Sequence, residues 1–255
     1  MFWKNASENW EKFGSDDPYY GVLSHDRYHK EAMDGDTRQA FFDSGSEYID
    51  DVVNKIIKHV SPEFSPSNSL DFGCGVGRLL IPISKISKQQ ATGVDVSASM
   101  LKETQVNLKE FSINNVELIE SENCSCLKSS SFDFVHSFIV FQHIPIEHGM
   151  LILDNIMGSL KLGGVGVLHF TFWNPGLHGL KGWIKRFMPF LKFIKRAFNE
   201  EFFNPEMQMN EYDLNEIHKL LSTYGVSAVY SELSNHDGIR GVIFYFKTDV
   251  DNDSV

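Results

Sequence analysis

The chain predicts a doubly wound, mostly parallel α/β sheet, and three observations carry that expectation. From Ser69 onward, short apolar runs alternate with longer amphipathic ones, the rhythm of parallel strands joined by right-handed crossovers. The stretch LDFGCGVGR at 70–78 sets glycines on alternate positions between an apolar strand and an apolar helix. The run FDFVHSFIVFQ at 132–142 is nearly all apolar, as befits a strand buried on both faces.

The elements follow in order. The first forty residues are rich in aromatic and polar side chains, and Asp17-Pro18 followed by Tyr-Tyr-Gly reads as a turn rather than a regular element. From Phe41 to Val60, Ile49, Val52, Val53, Ile56, Ile57 and Val60 recur at steps of three and four, one face of an amphipathic helix. A spacer with Pro62 and Pro66 ends it. Ser69–Phe72 reads as the first strand, and RLLIPISKIS as a helix starting near Arg78. ATGVDV is the second strand, and SASMLKETQVNLKEF a helix with Ser97 as its N-cap. VELIES and FDFVHSFIVFQ are the third and fourth strands. A helix over 147–161 stops at Gly163-Gly164, and VGVLHFTF is the fifth strand.

Between Asn174 and Met209 the alternation breaks. LKGWIKRFMPFLKFIKRAF carries Lys181, Lys185, Arg186, Lys192, Lys195 and Arg196 against an apolar side, with Pro189 dividing it. A helix from Asn210 to Tyr224 and two neighbouring strands, VSAVYSEL and GVIFYFK, close the chain as an antiparallel pair. The organisation is thus an N-terminal helical lid segment (1–66), an α/β core (67–173), a basic amphipathic cap insertion (174–208) and a C-terminal helix with a strand pair completing the sheet (209–255).

Composition narrows the function. Asp and Glu number 34 against 23 Lys and Arg, a net charge of −11, which argues against nucleic acid as the partner. No run approaches the roughly 18 apolar residues of a membrane span, and the N-terminus lacks the apolar core and cleavage site of a secretory signal, so a cytoplasmic protein is expected. Cys74, Cys124 and Cys126 make no disulfide framework, and Cys124-x-Cys126 is too tight for paired zinc ligands, so no structural metal is expected.

The glycines point to a ligand. A dinucleotide fingerprint would need G-x-G-x-x-G, but the spacing is Gly73-x-Gly75-x-Gly77, and Arg78 stands where the third glycine would be. A P-loop would need a lysine and a hydroxyl that are missing. Asp95 ends the second strand, where its carboxylate can accept from two ribose hydroxyls. Asp71 adds a second carboxylate before the first glycine. Two acids beside the turn repel phosphate and favour an adenosine that carries positive charge.

LDFGCGVGR, GVDVSASML, FDFVHSFIVFQHIP and LKLGGVGVL together resemble, in order and spacing over about 67–172, the signatures of the class I S-adenosylmethionine-dependent methyltransferases. The resemblance implies a seven-stranded Rossmann-like sheet and S-adenosylmethionine as cofactor, leaving S-adenosylhomocysteine as product. It also implies cofactor contacts at Asp71, Gly73, Cys74, Gly75, Gly77, Arg78 and Asp95. Val96 and Met100 would flank the adenine, Glu122 with Asn123 would receive its amine, and Ser137 and Phe138, after His136, would lie beneath the methionine portion.

Methyl transfer is a displacement that depends on alignment, with a base useful for a hydroxyl acceptor. His143 is the candidate catalytic residue and Gln142 could orient the acceptor; the bland alternative is that His143 only caps a turn before Pro145. His169 reads as a core histidine, and His25 and His236 as surface positions. Tyr19 and Tyr20 are candidates for a substrate-contacting lid, against a reading as packing anchors. The basic insertion could cap the acceptor pocket, hold an anionic acceptor through Lys192 and Arg196, touch a membrane surface, or serve only as a cap helix. The function expected is methylation, at oxygen or nitrogen, of a small-molecule or sugar- or lipid-linked acceptor. Its rivals are a protein or nucleic-acid methyltransferase and a non-catalytic cofactor-binding regulatory or assembly protein. The N/D-P-P-[YF] pattern of base-amino methylation is missing from the fourth strand.

Overall fold

The structure is a computed structural model describing residues 2–178 and 209–250, with side chains from Ser7 onward. The basic segment with Lys192 and Arg196 lies outside the described residues. One sheet of seven strands runs β3-β2-β1-β4-β5-β7-β6. Its strands are β1 Asn68–Phe72, β2 Gln90–Asp95, β3 Val116–Glu120, β4 Phe132–Ser137, β5 Leu160–Trp173, β6 Val229–His236 and β7 Ile239–Lys247. The first five pair in parallel, whereas β7 lies antiparallel to both β5 and β6. After β1 the chain steps out to β3 and crosses back to β4 on the other side of β1, so the strand order reverses there. The carboxyl ends of β1 and β4 therefore open the crevice in which such sheets bind ligands.

Seven helices are described: α1 Phe2–Asp16, α2 Pro18–Val22, α3 Gly35–His59, α4 Leu80–Ile86, α5 Ala98–Glu110, α6 Ile146–Ser159 and α7 Leu214–Thr223. Alternation along the strands sends side chains to two cores. Val165 and Val167 of β5 pack with Ile49, Val52 and Ile56 of α3 and Leu80 and Ile83 of α4. Leu168 and Phe170 of the same strand pack with Ile152 and Ile156 of α6 and Ile217 and Leu221 of α7. A third cluster joins Phe13, Tyr19, Phe41 and Phe42 of the N-terminal helices to Met100 and Leu108 of α5. Among the described residues, no helix is long and apolar enough to cross a membrane.

Four expectations are corrected. Asp17-Pro18 is no free turn: α1 runs to Asp16, and Pro18 opens α2 at a first-turn position, where its missing N–H costs nothing. The next helix begins at Gly35 rather than Phe41, because Asp34 caps it by accepting from the Thr37 N–H at 2.8 Å. The fourth strand stops at Ser137, since Ile139 takes a left-handed φ of 59°, and a 3-10 turn, Phe141–His143, follows. The glycines at 163 and 164 end no helix: α6 passes directly into β5, and register jumps from Phe132↔Leu160 to Phe134↔Val165 across them.

Candidate active site

The glycine loop is built by its neighbours. Gly73, Gly75 and Gly77 take φ of +74°, +53° and +88°, a region that side chains rarely adopt. The N–H groups of Gly73 and Cys74 both donate to Val94 O, at 2.7 and 3.0 Å, which ties the turn to β2. From α5, Thr104 Oγ1 donates to Gly75 O and Asn107 Nδ2 to Val76 O, at 2.5 and 2.8 Å. Close approach is a second constraint. A Cβ on Gly73 would meet Val140 at 2.3 Å, and one on Gly75 would meet Val22 at 2.7 Å. Cys74 contributes only backbone here: its thiol is buried against Gly93, and burial pushes its pKa well up.

Both acids stand where the chain predicted. Asp95 accepts from the Gly75 N–H at 2.8 Å and the Ser97 N–H at 3.0 Å, one on each oxygen. Each oxygen keeps a lone pair for another donor. Burial raises its pKa, opposed by those backbone donors. Asp71 sits in register with His136 across β1 and β4, and the two side chains meet at 2.8 Å through Oδ1 and Nδ1. The other oxygen, Asp71 Oδ2, is buried without a partner, as are His136 Nε2, Tyr48 OH and Arg78 Nε. A buried carboxylate oxygen lacking a donor is costly alone and suits an ammonium group. Arg78 itself is buried against α3, with Nη1 donating to Ser44 Oγ at 3.3 Å. Burial lowers its pKa although Tyr48 and Asp71 work against that.

The N-terminal helices lie over this end of the sheet. Glu11 of α1 accepts from Ser97 Oγ, Ser99 N and Ser99 Oγ at 2.7, 3.1 and 2.6 Å, so one helix caps the first turn of another. Burial acts to raise the Glu11 pKa, but the donors on Ser99 and Ser97 outweigh it and hold it low. Met100 is buried beneath α1 and α2, whereas Val96 is half-buried. Tyr19 is buried, its hydroxyl 2.8 Å from a Glu103 carboxylate oxygen and 3.0 Å from the Asn107 amide oxygen, and Arg38 donates to it. Tyr20 is stacked on His29 with centroids 3.8 Å apart. Val22, Trp10 and Glu11 touch the site instead, and nothing in the local sequence singled them out.

On the far side of β4, Ser137 Oγ donates to Phe72 O, and Phe138 packs against Tyr48 and His169. His143 and Gln142 are both buried in the 3-10 turn, with Trp10 of α1 edge-on to the His143 ring at 5.0 Å. Their amide and ring nitrogens lie 3.1 Å apart, and Thr171 of β5 reaches the Gln142 amide oxygen. His169 is buried against Ser234 at 2.8 Å. Burial, then the neighbouring His236 and His143, depress its pKa to about 3. His236, at the end of β6, is exposed as expected, and its ring lies edge-on to that of His169 at 5.9 Å. Its pKa is lowered by burial. His25 accepts from the Arg27 N–H, away from these groups. Glu122 is exposed and Asn123 accepts from the Ser125 N–H.

Known proteins agree with this geometry. Residues 70–164 match the family described as a methyltransferase domain, the span from the Asp71 strand to the start of β5. Over that stretch the chain is similar to methyltransferase domains. The magnesium protoporphyrin IX methyltransferase of Synechocystis, solved with S-adenosylhomocysteine, has a TM-score of 0.59 at 20% identity and covers 91% of this chain and 98% of its own. The N-methyltransferase NodS of Bradyrhizobium japonicum, also with S-adenosylhomocysteine, has a TM-score of 0.58 at 11% identity, covering 96% and 98%. At these identities they share the fold. A curated relative, the carboxy-S-adenosyl-L-methionine synthase of Helicobacter pylori, is 26% identical over 117 residues, 45% of this chain and 47% of the relative. The match thus spans about half the length of that relative.

Proposed function

We propose that the protein transfers a methyl group from S-adenosylmethionine to a small-molecule or sugar- or lipid-linked acceptor, at oxygen or nitrogen. The observation that carries this reading is a glycine loop flanked by two carboxylates, one with a buried oxygen awaiting a cationic donor. When bound, the cofactor supplies an electrophilic methyl on a sulfonium sulfur. Asp71 would take the ammonium group, the loop would let the ligand pass close to backbone, and Asp95 would accept from the ribose hydroxyls. Val96, Met100, Glu122 and Asn123 would border the adenine, and Ser137 and Phe138 the methionine arm. The acceptor would then enter over the ends of β4 and β5, where His143, Gln142, Thr171 and His169 gather.

The likeness to a protoporphyrin methyltransferase supports a small acceptor, and that to an N-methyltransferase keeps nitrogen among the target atoms. The test is incubation with methyl-labelled S-adenosylmethionine and a panel of carboxylic acids, amines, phenols, lipids and glycans. Label in a small-molecule fraction is expected, and its loss in Asp95→Ala ties it to this site. Label appearing only on protein or nucleic acid would overturn the proposal.

A further inference from the structure

We propose that Gln142 is a positioning residue that holds His143 in its Nδ1-protonated tautomer, through a hydrogen-bonded chain Thr171–Gln142–His143. Its place in catalysis rests on the methyltransferase reading above; its geometry does not. Thr171 Oγ1 stands 2.6 Å from Gln142 Oε1, and Gln142 Nε2 stands 3.1 Å from His143 Nε2. A separation of 2.6 Å is that of an O–H···O bond and is short for N–H···O. The amide oxygen therefore faces the hydroxyl, and the amide nitrogen faces the ring. That nitrogen can only donate, so His143 Nε2 is the acceptor and the proton of the neutral ring sits on Nδ1. Reversing the amide would leave the buried Thr171 hydroxyl proton without this acceptor, a loss that burial makes expensive.

The chain is held from outside as well. Gln142 O accepts from both the N–H and the Nδ2 of Asn210, at 2.7 and 3.1 Å. Tyr212 donates its hydroxyl to Ile144 O at 2.9 Å and its N–H to Thr171 O at 2.8 Å. The extended segment carrying Asn210 and Tyr212 thus clamps both ends of the relay, while Trp10 covers the ring from α1. The consequence is chemical. With Nε2 accepting from Gln142 and Nδ1 carrying the proton, the resting His143 takes no proton from an acceptor. The neighbouring His169, depressed to a pKa of about 3, is too weak a base to replace it. An alcohol would have to displace the Gln142 amide before it could use His143 as its base. A carboxylate brings its own lone pair: the O–CH3 bond forms as the S–CH3 bond breaks, the electron pair stays on sulfur, and no proton moves.

Imidazole 15N–1H correlation spectra of the labelled protein without cofactor, with His143 assigned by its loss in His143→Asn, report the tautomer directly. The expected wild-type pattern has a protonated Nδ1 and an unprotonated Nε2, retained in Thr171→Ser. Gln142→Glu cannot donate to Nε2 and should move the proton there; Thr171→Val should let the two tautomers exchange. A protonated Nε2 in the wild type, or an unchanged tautomer in folded Gln142→Glu, overturns the proposal. Titration with S-adenosylhomocysteine on the same samples separates this outcome from failure of the methyltransferase reading.

Discussion

At the scale of single residues, Asp71 and His169 make opposite uses of burial. Asp71 spends one oxygen on His136, keeps the other without a hydrogen-bond partner, and shares its charge with the buried Arg78. Asp71→Asn can keep the His136 bond through its carbonyl oxygen but loses the charge. A charge-assisted hydrogen bond is worth roughly 1.5–3 kcal/mol, so S-adenosylhomocysteine affinity should fall by about tenfold or more. His169 is neutral by enclosure. With its folded pKa near 3 and the ordinary value near 6.5, the unfolded chain binds the proton first as pH falls. Its contribution to stability is complete above pH 6.5 and is lost on acidification towards pH 3. Between pH 6.5 and 5, urea unfolding should show about 1.5 kcal/mol less loss in His169→Leu than in the wild type. The positions of the glycines and both acids were legible in the sequence, because each lies in or just after an apolar run that reads as a strand. The Asp71–His136 pair was not: its members are 65 residues apart and meet only through the register of β1 with β4.

At the scale of elements, the N-terminal helices lie over the glycine loop and are tied to α5. Glu11 reaches from α1 to the first turn of α5, where three donors converge on its carboxylate. Removing a helix cap typically costs about 0.5–2 kcal/mol. Glu11→Ala should therefore speed amide hydrogen exchange in α1 by roughly threefold to thirtyfold, with little change in β1 or β4. Equal acceleration throughout the sheet would mean that Glu11 supports the whole fold and not this cover. Val22 gives the cover its contact with the loop, so Gly75→Ala meets both a left-handed φ and the Val22 methyl. Such strain costs of order 1–3 kcal/mol, and the variant should lose stability even without ligand. The turn reading of Asp17-Pro18 failed because a proline in the first turn of a helix carries the same local signal as one in a β-turn. The early end of β4 has no signal at all: Ile139 is a strand former held left-handed by the turn that delivers His143.

At the scale of the whole molecule, the strand order gathers the glycine loop, both acids and the β4 turn at the carboxyl ends of the central strands. The reversal beside β1 puts the glycine loop, Asp95 and the β4 turn at the same carboxyl ends, and α1 crosses above them. The alternation of short apolar and amphipathic runs made the α/β class and the cofactor half of the site readable, since both are local. The sequence offered Gln142 and His143 as neighbours but not Thr171 or Asn210, because these residues converge from three separate stretches of chain. The measurement that bears most directly on the account is calorimetric titration of the intact protein with S-adenosylmethionine and S-adenosylhomocysteine, alongside Asp95→Ala. Saturable binding of both ligands, weakened at least tenfold in a folded variant, is the result expected from two lost hydroxyl contacts. A folded wild type that binds neither ligand, or a variant that binds as tightly as the wild type, would contradict it.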